Sequence, residues 1–479
     1  MRRATLALLI TFICSLAYLP RTGLVCASDG AIYIRSDGSV EGTAYIESGD
    51  NITYVFTADI DEPIIVQRSN IIVDGNCHVL NGSGLVGVTG LHVDNAFNVT
   101  IRNVDIVGFG SGVVLSQSRK ITVTENTIRN CSLGVVVHST SQENVIVGNR
   151  ITDTQAGVTL GMGASNNTIS RNIIENEGTY GLRLSGFTNT VVGNNISSRS
   201  KHGDYAGLFL EDFIGGKVVG NRVEDSRVGI WVGDWAESND VAGNTVLSNF
   251  YGVYLTNRSI YNVVRGNYVV QAEEYALVSH ASYNFVYHNN IIAGANRSVL
   301  VVEGVNFWDN GFEGNYWSDL ASADLDRDGI LDDAYVVNAN NVDRFPLAGL
   351  FSEFNATSTS YVQVVCNSSI SNFHFNGSAI RFYVAGEDGA LGFCRVCIPK
   401  TLVGEPYQVL VNGSEPDYVD YMVFDNGSHR WIYFEYVLST REVVVVAEFK
   451  LPQILLCFMV ATLLAVIVRG RKRIGYAGC

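Results

Sequence analysis

A short apolar phrase returns every 22 to 26 residues across 91–302, and nothing else in the chain limits its fold so tightly. It reads Gly112-Val-Val-Leu115, Gly134-Val-Val-Val137, Gly157-Val-Thr-Leu160, Gly181-Leu-Arg-Leu184, Gly207-Leu-Phe-Leu210, Gly229-Ile-Trp-Val232 and Gly252-Val-Tyr-Leu255. Gly90-Leu-His-Val93 opens the series; Ala276-Leu-Val-Ser279 and Ser298-Val-Leu-Val301 close it with the glycine replaced. A second column runs in phase, at Asn126, Asn149, Asn172, Asn194, Asn221, Asn244, Asn267 and Asn289. A third Asn column sits five residues earlier, at Asn144, Asn167, Asn189, Asn239, Asn262 and Asn284.

Short apolar runs at a fixed period, without helical spacing, mean one strand-and-turn unit per repeat. One unit cannot bury its apolar face alone, so it stacks on its copies. The chain is therefore all-β, a parallel β-helix of about ten coils spaced ~4.8 Å apart, roughly 45–50 Å long. Residues one and three after each Gly point inward and the residue between them points out. The Gly is expected at a tight bend, where positive φ is cheap. The Asn is expected at the next bend, its amide bonded to the same Asn one coil away.

Around this core the chain divides in order. Residues 1–27 read as a secretory signal, with Arg2 and Arg3 ahead of an apolar run and Val-Cys-Ala at the cleavage site. Residues 28–75 read as an N-terminal cap, 76–305 as the helix, and 306–350 as a segment holding an Asp-rich loop. Residues 351–449 lose the Asn columns and alternate instead, which predicts a small antiparallel β-sandwich. Residues 451–468 are apolar and four cations follow at once, which predicts one transmembrane helix and a cytoplasmic tail at 469–479. The chain is thus expected at the cell surface, a single-pass membrane protein with an exterior N-terminal ectodomain. A net charge of −15 leaves no basic patch for phosphates, so nucleic acid is excluded as a partner. Sequons recur from Asn51 to Asn426 and predict glycosylation of an exported chain. Five cysteines lie outside the signal, span and tail: Cys77, Cys131, Cys366, Cys394 and Cys397. The odd count leaves one unpaired or intermolecular. A structural bond is expected from Cys366 to either Cys394 or Cys397.

Asn70-Ile-Ile-Val-Asp-Gly75, Asn98-Val-Thr-Ile-Arg-Asn103 and the repeated Gly-Asn columns resemble the NosD-like parallel β-helix proteins, especially those of archaea. Gly314-Asn-Tyr-Trp-Ser-Asp319, the Asp-rich loop and Asn341-Val-Asp-Arg-Phe-Pro-Leu347 follow in the order such proteins show. The resemblance covers roughly 50–350 and implies a right-handed coil. It also implies a link to copper, since the founding member is associated with copper delivery to nitrous oxide reductase. It carries fold further than task.

Two sites carry chemical signals. Asp324, Asp326, Asp328 and Asp332 stand at positions 1, 3, 5 and 9 of a loop, with Gly329 at position 6. Ca²⁺ takes six to eight hard oxygens, so the four carboxylates, the Ile330 carbonyl and Asp333 are expected to wrap one structural ion. Tyr335 stands where an EF-hand has its bidentate Glu and no long helices are expected to flank it, so the loop is closer to a dockerin or thrombospondin-repeat type. The second site is the outward column, where Arg183, Phe209, Trp231 and Tyr254 would stack on adjacent coils and face solvent. Glu211, Asp212, Asp234 and Trp235 lie near them in sequence, and an insertion at 198–205 brings Asp204. Flat rings flanked by carboxylates suit sugars: the ring takes the C–H face and the polar groups take hydroxyls.

Three functions stay open. The first is binding of carbohydrate or cell-envelope polymer on that face. The second is a polysaccharide lyase, hydrolase or epimerase, with Asp204, Glu211, Asp212 and Asp234 as acid–base candidates. The face reads as non-catalytic first, because solvent-facing carboxylates are common on coils and no Asp-Pro-His-Asp element is present. The third is NosD-like copper delivery. Copper is disfavoured, since the eight histidines are scattered and the four methionines form no cluster.

Overall fold

The computed structural model describes residues 30–176, 178–198, 205–294 and 298–447. They form two units: the first runs to Ala321 and takes back Ala334–Phe345, while the second takes Ser322–Asp333 and resumes at Pro346.

The first unit is a parallel β-solenoid of about 11 turns. A typical coil supplies Val145–Val147 to one sheet, then Arg150–Thr152 and Ala156–Leu160 to the other. Its core holds four inward rows. Val113, Val135, Val158, Leu182, Leu208, Ile230, Val253 and Leu277 lie in one continuous register. Ile106, Ile128, Ile151, Ile174, Ile196, Val223, Val246 and Val269 make the second. Ile101, Val123, Ile146, Ile169, Val191, Val218, Val241 and Val264 make the third. Leu115, Val137, Leu160, Leu184, Leu210, Val232 and Leu255 make the fourth. All are buried. β-Branched residues dominate because they pack well on a pleated surface covered on one side.

The recurring Gly does not sit at a bend, contrary to expectation. Gly134 and Gly157 lie inside the strands Leu133–Val137 and Ala156–Leu160. A Cβ on Gly134 would come 2.3 Å from the carbonyl oxygen of Gly157 and 2.7 Å from Ile151 Cγ2. The column is glycine because successive coils approach too closely there for any side chain. Positive φ occurs instead just before each ladder Asn, at Gly148, Gly193, Gly220, Gly243 and Gly266, and also at Glu125, Arg171 and His288. Gly134→Val is expected to lower stability by about 2 kcal/mol or more, because backbone rather than a mobile side chain must move. Gly148→Asn should cost under about 1 kcal/mol, since Asn tolerates that conformation. Urea midpoints of both variants test the contrast.

The Asn columns are ladders, as expected. In the second column, from Asn149 on, each side-chain oxygen accepts from both the backbone N–H and the amide of the Asn one coil earlier, as in Asn149 to Asn172 at 3.0 Å each. In the third column Gly216 interrupts the series, because the Phe213 ring fills the place of a side chain there. Both ladders end on one antiparallel hairpin, Tyr335–Asn338 with Asn341–Asp343. Asn306 donates its N–H to Asn341, and Asn315 donates to Asp343.

Stacking starts earlier than position 76. Ile32–Ile34 pairs in parallel with Ile64–Val66, which pairs with the next coil. The segment expected to cap the helix therefore supplies its first coils, with Tyr54 and Phe56 fully buried. Only Val40–Glu41 and Ile46–Glu47 pair antiparallel there.

The second unit contains two antiparallel sheets. One sheet orders Leu350–Asn355, Tyr361–Cys366, Leu391–Pro399, His429–Val437 and Tyr418–Asp425; the other orders Ser369–Phe375, Ala379–Ala385, Arg441–Ala447 and Tyr407–Val411. All pairings are antiparallel. Val364, Val396, Phe434, Phe382 and Val445 fill the space between the sheets. Among the described residues no helix is long and apolar enough to cross a membrane. The expected signal at 1–27, span at 451–468 and tail at 469–479 lie outside the described residues.

Candidate functional site

Strand register puts Arg183, Phe209, Trp231, Tyr254 and Val278 on five consecutive coils of the first unit. The rings touch in sequence. Centroids are 4.9 Å apart from Phe209 to Trp231 and 5.9 Å from Trp231 to Tyr254. Tyr254 continues to His280 at 5.7 Å.

The expectation that all four side chains face solvent fails at Phe209, which is 9% exposed. Tyr180 stacks on it at 5.1 Å and 13°, and Trp231 tilts over its other side. Outward side chains on coils ~4.8 Å apart must lean on one another, so a row of rings buries its own middle. Arg183, Trp231 and Tyr254 are half-buried. The result is a small apolar cluster outside the core, made of Ala206, Phe209 and Val228 with Tyr180, Trp231, Tyr251 and Tyr254 around them. Tyr180 and Tyr251 were missed from sequence, although each directly precedes a column glycine and so belongs to a second outward column. Within this cluster Trp231 Nε1 is enclosed and has no hydrogen-bond partner among the described residues. A buried indole N–H usually has one.

Charged groups border the cluster. Arg183 Nη2 donates to Glu211 Oε2 at 2.7 Å, which ties up one of the acid–base candidates. Asp212 has φ of 50° and donates its N–H to the Asp234 carbonyl. Burial, with Glu211 and Asp234 adding repulsion, lifts the Asp212 carboxyl above the usual range. Trp235 stands apart from the row, on the turn after Val228–Val232. It is 55% exposed, with the Arg258 guanidinium 4.9 Å over its ring. Asp204 lies outside the described residues.

In the second unit the side-chain oxygens of Asp324, Asp326 and Asp328 lie within 4.8 Å of one another. Asp324 accepts the N–H groups of Asp328 and Gly329 at 3.0 and 2.9 Å, and Asp328 accepts that of Ile330 at 2.7 Å. Burial lifts the carboxyls of Asp324 and Asp328, reinforced by neighbouring aspartates. Arg395, 3% exposed, donates to the Asp328 carbonyl and stands 3.9 Å from its carboxylate. Asp332 accepts the Leu325 N–H across the loop. Asp333 accepts from Ser322 Oγ at 2.9 Å, and Ile330 is buried and bridges to Leu347. Among the described residues this is the one group of three or more His, Cys, Asp or Glu side chains whose ligand atoms converge.

Residues 89–246 match the family model for a right handed beta helix region, and residues 198–322 match that for NosD, a periplasmic copper-binding protein. A probable ABC transporter binding protein NosD of Pseudomonas aeruginosa is 30% identical over 158 residues, 32% of this chain and 33% of the relative. The corresponding protein of Stutzerimonas stutzeri is 27% identical over the same shares. The match thus spans about one third of the length of these curated relatives. Among solved structures, a periplasmic alginate epimerase is 15% identical, with a TM-score of 0.34 over 61% of this chain and 73% of that one. That likeness is too loose to carry an argument about activity.

Proposed function

We propose that this chain is an extracytoplasmic β-helix scaffold, tethered by the segment at 451–468, that holds a carbohydrate or envelope polymer along the face from Arg183 to Tyr254. The observation that carries the reading is the row of rings on adjacent coils, with Trp231 and Tyr254 half-buried and Arg183 and Glu211 at its border. The half-buried faces of Trp231 and Tyr254 offer C–H contact, and Arg183, Glu211 and Asp212 offer hydroxyl partners at its edge. A glycan array probed with the full chain, followed by titration of the hits, tests it. Trp231→Ala and Tyr254→Ala should each weaken binding roughly thirtyfold, about 2 kcal/mol. Unchanged affinity in both variants would dispose of the binding face. New products from a bound polymer would move the assignment to a polysaccharide-modifying enzyme on the same face.

The NosD family match favours one second reading, copper delivery. It predicts stoichiometric copper binding to the full chain at submicromolar metal, and an absence of binding would remove it.

The Asp-rich loop has a separate, structural role in this reading: Asp324, Asp326 and Asp328 hold one Ca²⁺, with Asp332 and the Ile330 carbonyl completing the set. Three carboxylates this close repel one another unless a cation sits between them. Ca²⁺ at about a hundred times its Kd should stabilise the second unit by about 2.7 kcal/mol. Asp326→Asn should abolish most of that gain. Absence of calorimetric heat, together with melting unchanged by chelator, would end the calcium assignment.

A further inference from the structure

The sandwich carries a pair of cysteines whose placement is more specific than their spacing suggested. Cys366 ends the strand Tyr361–Cys366 and lies directly opposite Cys394 on Leu391–Pro399. Both side chains point into the core, at 1% and 0% exposure, among Val364, Val396 and Ile398. Cys366 Sγ lies 3.0 Å from the Ser368 carbonyl oxygen, and Cys394 Sγ lies 3.5 Å from Tyr436 Oη. Cys397 is three residues further along, so strand alternation turns it to the opposite face, and its cross-strand partner is Gln363. Opposite Cβ atoms in an antiparallel pair stand ~4.5–5.5 Å apart, and a disulfide needs ~3.5–4.5 Å, so a slight approach suffices.

We propose that Cys366 and Cys394 form a cross-strand disulfide that staples two neighbouring inner strands of this sheet, and that Cys397 stays a thiol. The oxidant is a small-molecule or protein disulfide, met before the sheets close over the pair. The thiolate of one cysteine attacks that disulfide and expels one thiolate. The second cysteine's thiolate then attacks the mixed disulfide and expels the other. Two protein thiols are oxidised, one external disulfide is reduced to two thiols, and the protons pass to the departing thiolates.

The full chain, unfolded and refolded in a glutathione buffer containing the oxidised form, is the test material. Its folded fraction is isolated, alkylated under denaturing conditions, digested with trypsin and read by mass spectrometry. Cleavage after Arg395 separates Cys394 from Cys397. The expected result is a linked peptide pair holding Cys366 and Cys394, with Cys397 alkylated. Reduction should lower the melting temperature of the sandwich by on the order of 10 °C. A Cys397→Ser chain should keep both the link and the melting temperature. A link from Cys366 to Cys397, or folded protein with Cys366 and Cys394 both alkylated, would overturn the proposal. The outcome is independent of glycan binding.

Discussion

Asn194→Ala should lower the unfolding free energy by about 4 kcal/mol, while Asn195→Ala, one residue on, should change it by under about 0.5 kcal/mol. The difference is entirely one of place. Asn194 is 1% exposed, whereas Asn195 points to solvent. The Asn194 oxygen accepts both the N–H and the amide of Asn172 at 3.0 Å each. Its own amide donates to the Ile169 carbonyl and to Asn221 Oδ1 at 2.9 Å each. Alanine leaves the Asn172 N–H buried without an acceptor and takes a donor from the Ile169 carbonyl. Each buried orphan costs about 1–3 kcal/mol, since water cannot reach it. Asn194→Asp should not rescue the site, because a carboxylate accepts but cannot donate to Ile169. In a solenoid each coil contacts only its neighbours, so the break also weakens coupling between the two halves. Urea unfolding should then split the transition of the first unit into two. Equal midpoints for the Asn194 and Asn195 variants would mean the ladder contributes little.

Much of this was legible in the sequence because a repeat reports itself many times over. The inward rows, the ladders and the outward register of Phe209, Trp231 and Tyr254 all follow from the period. What a period cannot report is why a residue recurs. The column glycines serve close approach between coils, which needs the neighbouring Gly carbonyl to be seen. The cover over Phe209 depends on Tyr180, which belongs to another column. In the sandwich, Leu350–Asn355, Ser369–Phe375 and Tyr418–Asp425 are the strands hardest to read from sequence. All three are edge strands, and the last two are largely exposed, so they lack the apolar alternation that marks a buried strand. The ladder ends were hidden for a different reason. Asn341 follows Asn306 by 35 residues and Asp343 follows Asn315 by 28, because the Asp-rich loop of the second unit interrupts the period.

That last residue supports the second large prediction: between pH 7.5 and pH 4.5 the parent chain should gain about 2 kcal/mol of stability relative to Asp343→Asn. Asp343 replaces the next Asn of the ladder and is fully buried. Its Oδ2 accepts the N–H of Asn315 at 2.7 Å and Trp317 Nε1 at 2.8 Å, and its Oδ1 accepts the Phe345 N–H at 3.1 Å. A Cβ on Gly314 would collide with its carboxylate, so the approach is as tight as within the coils. Burial pushes the carboxyl up to about 6 from 3.8, against the pull of these donors. The raised value fixes the sign. Between those two pH values the folded chain binds more protons than the unfolded one, so acidification favours the fold. The contribution is fully present below about pH 4 and is lost as pH rises through about 6. Asn cannot ionise and continues the ladder chemistry, so its variant should lack this slope and match or exceed the parent at pH 7.5. Asp343→Ala should instead lie about 3 kcal/mol below Asp343→Asn at every pH in the window, because Asn315, Trp317 and Phe345 all lose their acceptor. Urea unfolding of the three chains at four pH values separates the cases, and parallel pH slopes for the parent and Asp343→Asn would place the titrating group elsewhere.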